Sequence, residues 1–368
     1  MGFHLQIKNY RVIRSVDMEA DGVCVLVGPN GSGKSTLLSA IEFLRNILEW
    51  GAYKALDLSG GAWGFTHIDS SKDIQTVFII EYFDIIWENI PTVNPNEFIK
   101  IKESVKTTLR DGIYLFDVMN SPPSPKNRNS QLQRIFDEDF SDKKEYENIK
   151  IFVNALIGYQ HYSDYRLWSL RKSGSLAGNE TNLQSDGQNA FSVLRNWYNS
   201  KPLRERYNFV IETLRDVFPF FGDLDFESAG QTVSIRTYPP DSDKPVPIYF
   251  ISNGFLTALL HLMAVCSAPD GGIVGIDEPE NGLHPYAIKT IIEAFRDRAE
   301  ERNLTVLLAT HSPFILNEFK EEPHRVFVMD QHQDEQLVRL DKIRDPEWLK
   351  YFALGDLYGR DFAIQEKR

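Results

Sequence analysis

The chain has 368 residues, 42% hydrophobic and 25% charged, which supplies a sizeable core for one large or two modest domains. A formal net charge of −12 argues against a surface that clamps nucleic acid over its whole extent, although a local basic groove stays open. Two cysteines, Cys24 and Cys266, both in apolar stretches, argue against a disulfide framework or a zinc site and suit buried thiols in a reducing, cytoplasmic setting.

In chain order, Leu5 to Tyr10 alternates apolar and polar residues at its start and predicts a strand, and Arg14 to Ala20 a second. Met1-Gly2-Phe3-His4-Leu5 lacks a basic flank and a long apolar core, so no signal peptide is expected, and Gln6 stands where a myristoylation motif needs Ser or Thr. Val23 to Val27 is fully apolar, as a buried parallel strand should be. It runs into a glycine-rich turn, after which Leu37, Leu38, Ile41, Leu44, Ile47 and Leu48 recur at helical spacing. Residues 51–68 read as a loop, Thr76 to Tyr82 as a strand and Ile113 to Val118 as another. Residues 121–150, with Ser-Pro-Pro-Ser-Pro and a dense charge run, read as an exposed, partly mobile segment inside an inserted lobe. From 151 to 220 the pattern is mainly helical, with strand character returning at Thr232 to Arg236. The last third is α/β again: strand Gly272 to Ile276, helix Pro285 to Glu300, strand Thr305 to Thr310, and strands at Arg325 to Met329 and Gln336 to Leu340. The expected division is 1–84, a lobe over 85–225, and 226–368. No apolar run is long enough to cross a bilayer.

Gly28-Pro29-Asn30-Gly31-Ser32-Gly33-Lys34-Ser35 fits the phosphate-binding pattern G-x-x-x-x-G-K-[ST] between a buried strand and a helix. The glycines let backbone N–H groups face the phosphates, and the helix presents its positive end to the same anion. Lys34 offers a charge to the β- and γ-phosphates of ATP, and Ser35 a hydroxyl to magnesium. Ile273-Val274-Gly275-Ile276-Asp277-Glu278 ends an apolar strand in two acids, Asp277 to hold magnesium and Glu278 to orient and polarise the attacking water. Alone, Asp-Glu-Pro is an equally good helix start; beside a P-loop, the catalytic reading is favoured. His311, at the tip of the Thr305 to Thr310 strand, can reach a γ-phosphate, while Ser312 caps the helix that Pro313 begins.

These stretches resemble the Walker A (Gly28 to Thr36), Walker B with D-loop (Ile276 to Pro285) and H-switch (Ala309 to Pro313) of ABC-type ATPases. The likeness points to the branch of RecF recombination mediators, SMC-like repair ATPases and the ATPase part of OLD nucleases, and to compact AAA-domain proteins of prokaryotic defence and toxin–antitoxin loci. It rests also on Ile7 to Arg11 and Leu183 to Asn189, and covers both ends of the chain but little of 85–180. It implies an α/β P-loop fold of ABC-head type: a mixed β-sheet flanked by helices, with an inserted, mainly helical lobe. Ile251-Ser252-Asn253-Gly254-Phe255 stands where the family places its signature motif. Ser252 and Gly254 are then expected to reach the γ-phosphate bound to a partner head, giving a head-to-tail homodimer around two ATP molecules. Asn253 and Phe255 depart from the transporter form, and a plain turn before a core helix is the alternative. Gln75 is a weakly placed candidate for the Q-loop.

Four functions compete. One is a dimeric ATP-driven switch or scaffold for a separate effector protein in anti-phage defence. A second is a RecF-like DNA-repair ATPase, with Arg166, Arg171 and Lys172 beside Tyr162, Tyr165 and Trp168 as a candidate nucleic-acid surface, or otherwise a helix with one basic and one buried face. A transporter subunit fits poorly, and a regulator without turnover is opposed by Glu278. Asp330, Asp334 and Asp341 read as surface charge rather than a nuclease cluster.

Overall fold

Three of the apolar runs, Gly22–Val27 (β3), Ile273–Asp277 (β12) and Thr305–Ala309 (β13), lie side by side in a computed structural model that describes residues 2–61, 64–65, 75–82, 85–93, 99–107, 144–330, 336–360 and 362. They form the centre of a six-stranded sheet ordered β15-β14-β3-β13-β12-β7, with β7 at Gln160–Tyr162, β14 at Val326–Met329 and β15 at Leu337–Arg339. All neighbours are parallel except β15, which runs back along β14. Both faces are covered, which is why the central strands are apolar throughout instead of alternating. Val23, Val25 and Val27 face one core while Cys24 and Leu26 face the other, and Val306 and Leu308 are separated from Leu307 and Ala309 in the same way.

Helix α1 (Lys34–Trp50) covers one face. Above it lies a five-stranded antiparallel sheet ordered β2-β1-β4-β5-β6, formed by Ile13–Ala20, Phe3–Tyr10, Val77–Tyr82, Ile85–Val93 and Ile99–Thr107. Tyr10, Phe43, Phe65 and Phe78 interlock between them, with ring centroids 4.8 to 6.3 Å apart. The other face carries α7 (Asn253–Ser267) and α8 (Pro285–Arg302), with α5 (Ala190–Asn199) and α6 (Arg204–Val217) packed beyond them. Thirteen of the fifteen residues of α7 are buried, so its sequence is apolar all round. A hairpin of Asp223–Ala229 (β9) and Thr232–Tyr238 (β10) closes this second lobe, with short strands Ser175–Leu176 (β8) and Val246–Pro247 (β11) along β10.

The expected lobe over 85–225 divides differently. Residues 85–107 continue the antiparallel sheet by register from Tyr82↔Ile85 and Val93↔Ile99, because Ile85, Trp87 and Val105 bury against the same core as β4. Helix α3 (Lys144–Ile157) packs on α1, and β7 joins the central sheet. Of the 121–150 segment, 121–143 lies outside the described residues, as does the Ile113 to Val118 strand. The loop expected over 51–68 contains a helix, α2 (Ala52–Leu58), with a Lys54–Asp57 ion pair one turn apart. Among the described residues no helix is long and apolar enough to cross a membrane. Cys24 and Cys266 are free and buried, and burial pushes both thiols up to about 12.

One glycine fixes how closely α1 approaches the sheet. A Cβ at Gly275 would stand 2.5 Å from Tyr159 Oη, and that hydroxyl donates to Leu38 O of α1 at 2.9 Å. Gly275→Val should therefore overpack this junction and lower stability by about 1–3 kcal/mol in urea unfolding. An unchanged midpoint would mean that the junction has slack.

Candidate functional site

The parallel register brings three strand ends to one level: Asp277 pairs with Ala309, and Ala309 with Leu26. Glu278 and Thr310, one residue on, and Gly28, two residues beyond Leu26, therefore gather at the carboxyl edge of the sheet. The P-loop is drawn tight there. Gly28, Gly31 and Gly33 all have positive φ, and a Cβ at Gly28 would collide with Met329 O and Ser32 Oγ. Ser32 N donates to Pro29 O at 3.1 Å, while Pro29, Asn30, Gly31 and Ser35 are exposed and Thr36 is half-buried on the first turn of α1.

Lys34 Nζ folds back over the loop, donating to Gly28 O at 2.9 Å, Pro29 O at 3.2 Å and His311 Nε2 at 2.7 Å. Burial lowers its pKa, against the pull of Glu278, Asp277 and Glu280. His311 Nδ1 faces Tyr358 Oη at 3.2 Å, and that hydroxyl donates to Gly28 O at 3.0 Å. The network assigns the His311 proton to Nδ1, since Nε2 accepts from Lys34. Burial, then the Lys34 charge, hold its pKa below the usual value. Ser35 Oγ donates to Asp277 Oδ1 at 3.0 Å, and His161 Nε2 meets Asp277 Oδ2 at 2.9 Å. Glu278 sits 3.7 Å from His311 and has a left-handed φ of 46°, a conformation an L side chain adopts at some cost. Two backbone bonds hold it: Glu278 N to Ala309 O at 2.7 Å and Asn281 N to Glu278 O at 3.0 Å.

These groups suit a magnesium–triphosphate. The orphaned, buried Ser32 Oγ, a glycine-rich loop leading into the N-terminus of α1, and the Lys34 ammonium folded over that loop supply the groups that bind phosphate. The hard oxygens of Ser35 and Asp277 already lie within one hydrogen bond of each other, which is the donor set magnesium takes. Ser252 and Gly254 lie elsewhere on the chain. Ser252 caps α7, its Oγ accepting from Phe255 N at 3.2 Å, and it is exposed. Gly254 backs onto the D-loop, where a Cβ would stand 2.6 Å from Gly282 O. Phe255 replaces a polar residue because it is fully buried among Phe218, Phe220 and Phe221.

Three further groups went unread in the sequence. His161 is on β7 and Tyr358 on α12 (Leu354–Tyr358); each meets its partner from more than a hundred residues away. Glu280 lies inside the D-loop motif and accepts from Thr310 Oγ1 at 2.6 Å. Gln75 is bonded through its backbone O to Asn9 Nδ2. In the candidate nucleic-acid set, Tyr162 and Tyr165 are turned into the core, and Arg171 is tied to Ile251 O and Asn253 Oδ1 of the signature turn. Arg166 beside Asp186, Trp168, which is 70% exposed, and Lys172 above the Trp168 ring remain on the surface. Asp341 is gripped by Arg339, and Asp334 lies outside the described residues.

A glycine-rich phosphate-loop sequence, a strand-end acid pair and a histidine thus stand together at the edge of a mainly parallel sheet, on an α/β fold of the ABC-head kind. The solved SMC head bound to the C-terminal winged-helix domain of ScpA shares this fold, with a TM-score of 0.55 at 12% identity over 93% of this chain and 99% of that one. Residues 23–317 match the family described as "AAA domain, putative AbiEii toxin, Type IV TA system", and the chain belongs to it. It is also 21% identical over 369 aligned positions to an OLD nuclease from Thermus scotoductus, covering 93% of this chain but 66% of that protein.

The acid cluster has a pH signature. Burial, then the nearby Glu278, push the Glu280 carboxyl up from 4.5 to about 7; Lys34 and His311 are the other charged or titratable groups facing it. A carboxyl raised in the folded state holds its proton longer than in the unfolded chain, so stability falls as pH rises from about 4.5 to about 7. Without nucleotide, Glu280→Gln should gain stability relative to the native chain across this window, by on the order of 2 kcal/mol, and keep the gain above it. Calorimetry of both proteins from pH 5 to 8 checks this; a gap that does not change with pH would contradict it.

Proposed function

We propose that the chain hydrolyses ATP as a head-to-tail dimer and uses the cycle to switch its hold on a separate effector protein in prokaryotic defence. The observation that carries this reading is the meeting at one edge of the sheet of two contact sets, Lys34 with His311 and Glu278, and Ser35 with Asp277. A structural turn has no need of a buried lysine, two strand-end acids and a histidine in one place.

In this reading the loop N–H groups and Lys34 bind the phosphates, and Lys34 leaves Gly28 O and Pro29 O to do so. Ser35 and Asp277 would hold magnesium, which would offset the negative charge of the phosphates. His161, on the second oxygen of Asp277, keeps that carboxylate turned toward Ser35. Glu278 orients the attacking water and takes its proton. His311 contacts the γ-phosphate. The exposed Ser252 hydroxyl and the N-terminus of α7 cap the phosphates bound to the partner, excluding water. Differential affinity of the open and closed dimers for ATP turns hydrolysis into movement.

The effector reading draws support from the family the chain belongs to, whose description names a putative AbiEii toxin and a type IV TA system. The nuclease activity named for the Thermus relative is not carried over, because the chain spans 66% of that protein. A role centred on nucleic acid is less favoured, because Arg171 serves the signature turn and the net charge is −12.

Lys34→Ala should abolish binding of a fluorescent ATP analogue. Glu278→Gln should keep binding, slow turnover by about 10²- to 10⁴-fold and trap a dimer, read as a doubled mass with ATP and magnesium. Native-rate hydrolysis by Glu278→Gln would remove it from the role of base. A mass that ignores ATP would remove the sandwich. The trapped dimer should also capture the product of an adjacent gene; failure to do so would count against the effector.

A further inference from the structure

The loop that follows the catalytic acid is held from two sides, and one side runs through a carboxyl group with no part in the scheme above. Glu280 Oε1 accepts from Thr310 Oγ1 at 2.6 Å and from His311 N at 3.3 Å. Thr310 is fully buried; its N–H donates to Leu26 O at 3.1 Å, and its Oγ1 also accepts from Ser312 N at 2.8 Å. Glu280 thus fastens the whole turn Thr310 to Ser312 to the loop bearing Glu278. On the far side, His261 Nε2 donates to Pro279 O at 3.1 Å and its Nδ1 accepts from Tyr165 Oη at 3.1 Å. With burial lowering its pKa to about 4, His261 is neutral and the two bonds fix its tautomer. Between these anchors lies Glu278, whose left-handed backbone holds its shape only while its neighbours enforce it.

The chemistry of the latch is specific. One oxygen of Glu280 takes both donors, while Oε2 is buried without a partner, beside the Glu278 carboxyl. A carboxyl that served only to cap a turn would satisfy both oxygens or leave one in water. We propose that Glu280 is a positioning residue of the hydrolysis site, latching the His311 turn to the loop of the catalytic acid so that the two groups close on the γ-phosphate as one unit. This rests on the hydrolysis reading above. Glutamine can replace it, because its carbonyl oxygen keeps both donors and its amide nitrogen falls near Glu278. Alanine cannot, and aspartate is one methylene too short for the span.

The test is steady-state ATP hydrolysis by the full chain, with nucleotide binding and thermal unfolding measured alongside. Glu280→Ala should lower kcat by about 10- to 100-fold with KM and analogue affinity held within about twofold, the mark of misplaced groups rather than lost binding. Glu280→Gln should restore kcat to within about threefold of the native rate. Thr310→Val, which cuts the latch from its other end, should reproduce the alanine loss, and the double variant should be no slower than either single one. If Glu280→Ala does not fold, Thr310→Val and Glu280→Gln still decide the matter. A native kcat in Thr310→Val, a Gln variant as slow as Ala, or losses that multiply in the double variant would each overturn the latch. Glu278→Gln run in parallel separates the two ideas: if it is silent while Glu280→Ala turns over normally, only the latch fails; if the native chain itself does not hydrolyse ATP, the hydrolysis reading fails.

Discussion

The carboxyl edge of the parallel sheet carries everything else, and its constraint is burial. Strands β3, β13 and β12 are sealed on both faces, so their backbones pair in register and their side chains carry no charge until the strands end. Polar groups can emerge only beyond Val27, Ala309 and Ile276, and because Asp277, Ala309 and Leu26 are level, they emerge together. Helix α1, whose Leu38 packs against Gly275 of the same sheet, brings Lys34 and Ser35 to that edge. The site is the place where an apolar structure is compelled to become polar.

The chemistry of that edge was legible in the sequence where the residues involved are neighbours. A P-loop needs its glycines, lysine and serine at fixed offsets, and an apolar strand ending in Asp277-Glu278 is visible as such. What crosses the fold was not legible. His161 and Tyr358 reach Asp277 and Gly28 from strand β7 and from the chain's last described helix, and no spacing rule joins them. Glu280 sat in plain view inside a motif, but its partner Thr310 lies thirty residues on. The strands at 85–93 and 99–107 were hidden differently: their lysines and glutamates, with Pro91, blur the alternation that marks a half-buried strand.

The signature turn shows how a departure from a pattern can be read. Phe255 is foreign to the polar form of the motif, yet it belongs to a ring cluster that seats α7 in the second lobe. Asn253 accepts from Arg171, which also holds Ile251 O, so the turn before Ser252 is braced by helix α4 (Leu167–Ser173). Asn253 and Phe255 both make their contacts within the lobe. Ser252 keeps the exposed hydroxyl at the helix start, where it can face another molecule.

The close approach of Tyr159 to Gly275 carries an evolutionary consequence. The phenol hydroxyl occupies the volume that any larger residue at 275 would need, and it spends its hydrogen bond on Leu38 O. Position 275 cannot enlarge while that hydroxyl stays. A lineage that places alanine or valine before the strand-end acids must first surrender the tyrosine hydroxyl, and one that keeps the tyrosine is confined to glycine. Across relatives of this chain the two columns should vary as a correlated pair, a record of how tightly the helix behind the phosphate loop is pressed onto the strand that ends in the acids.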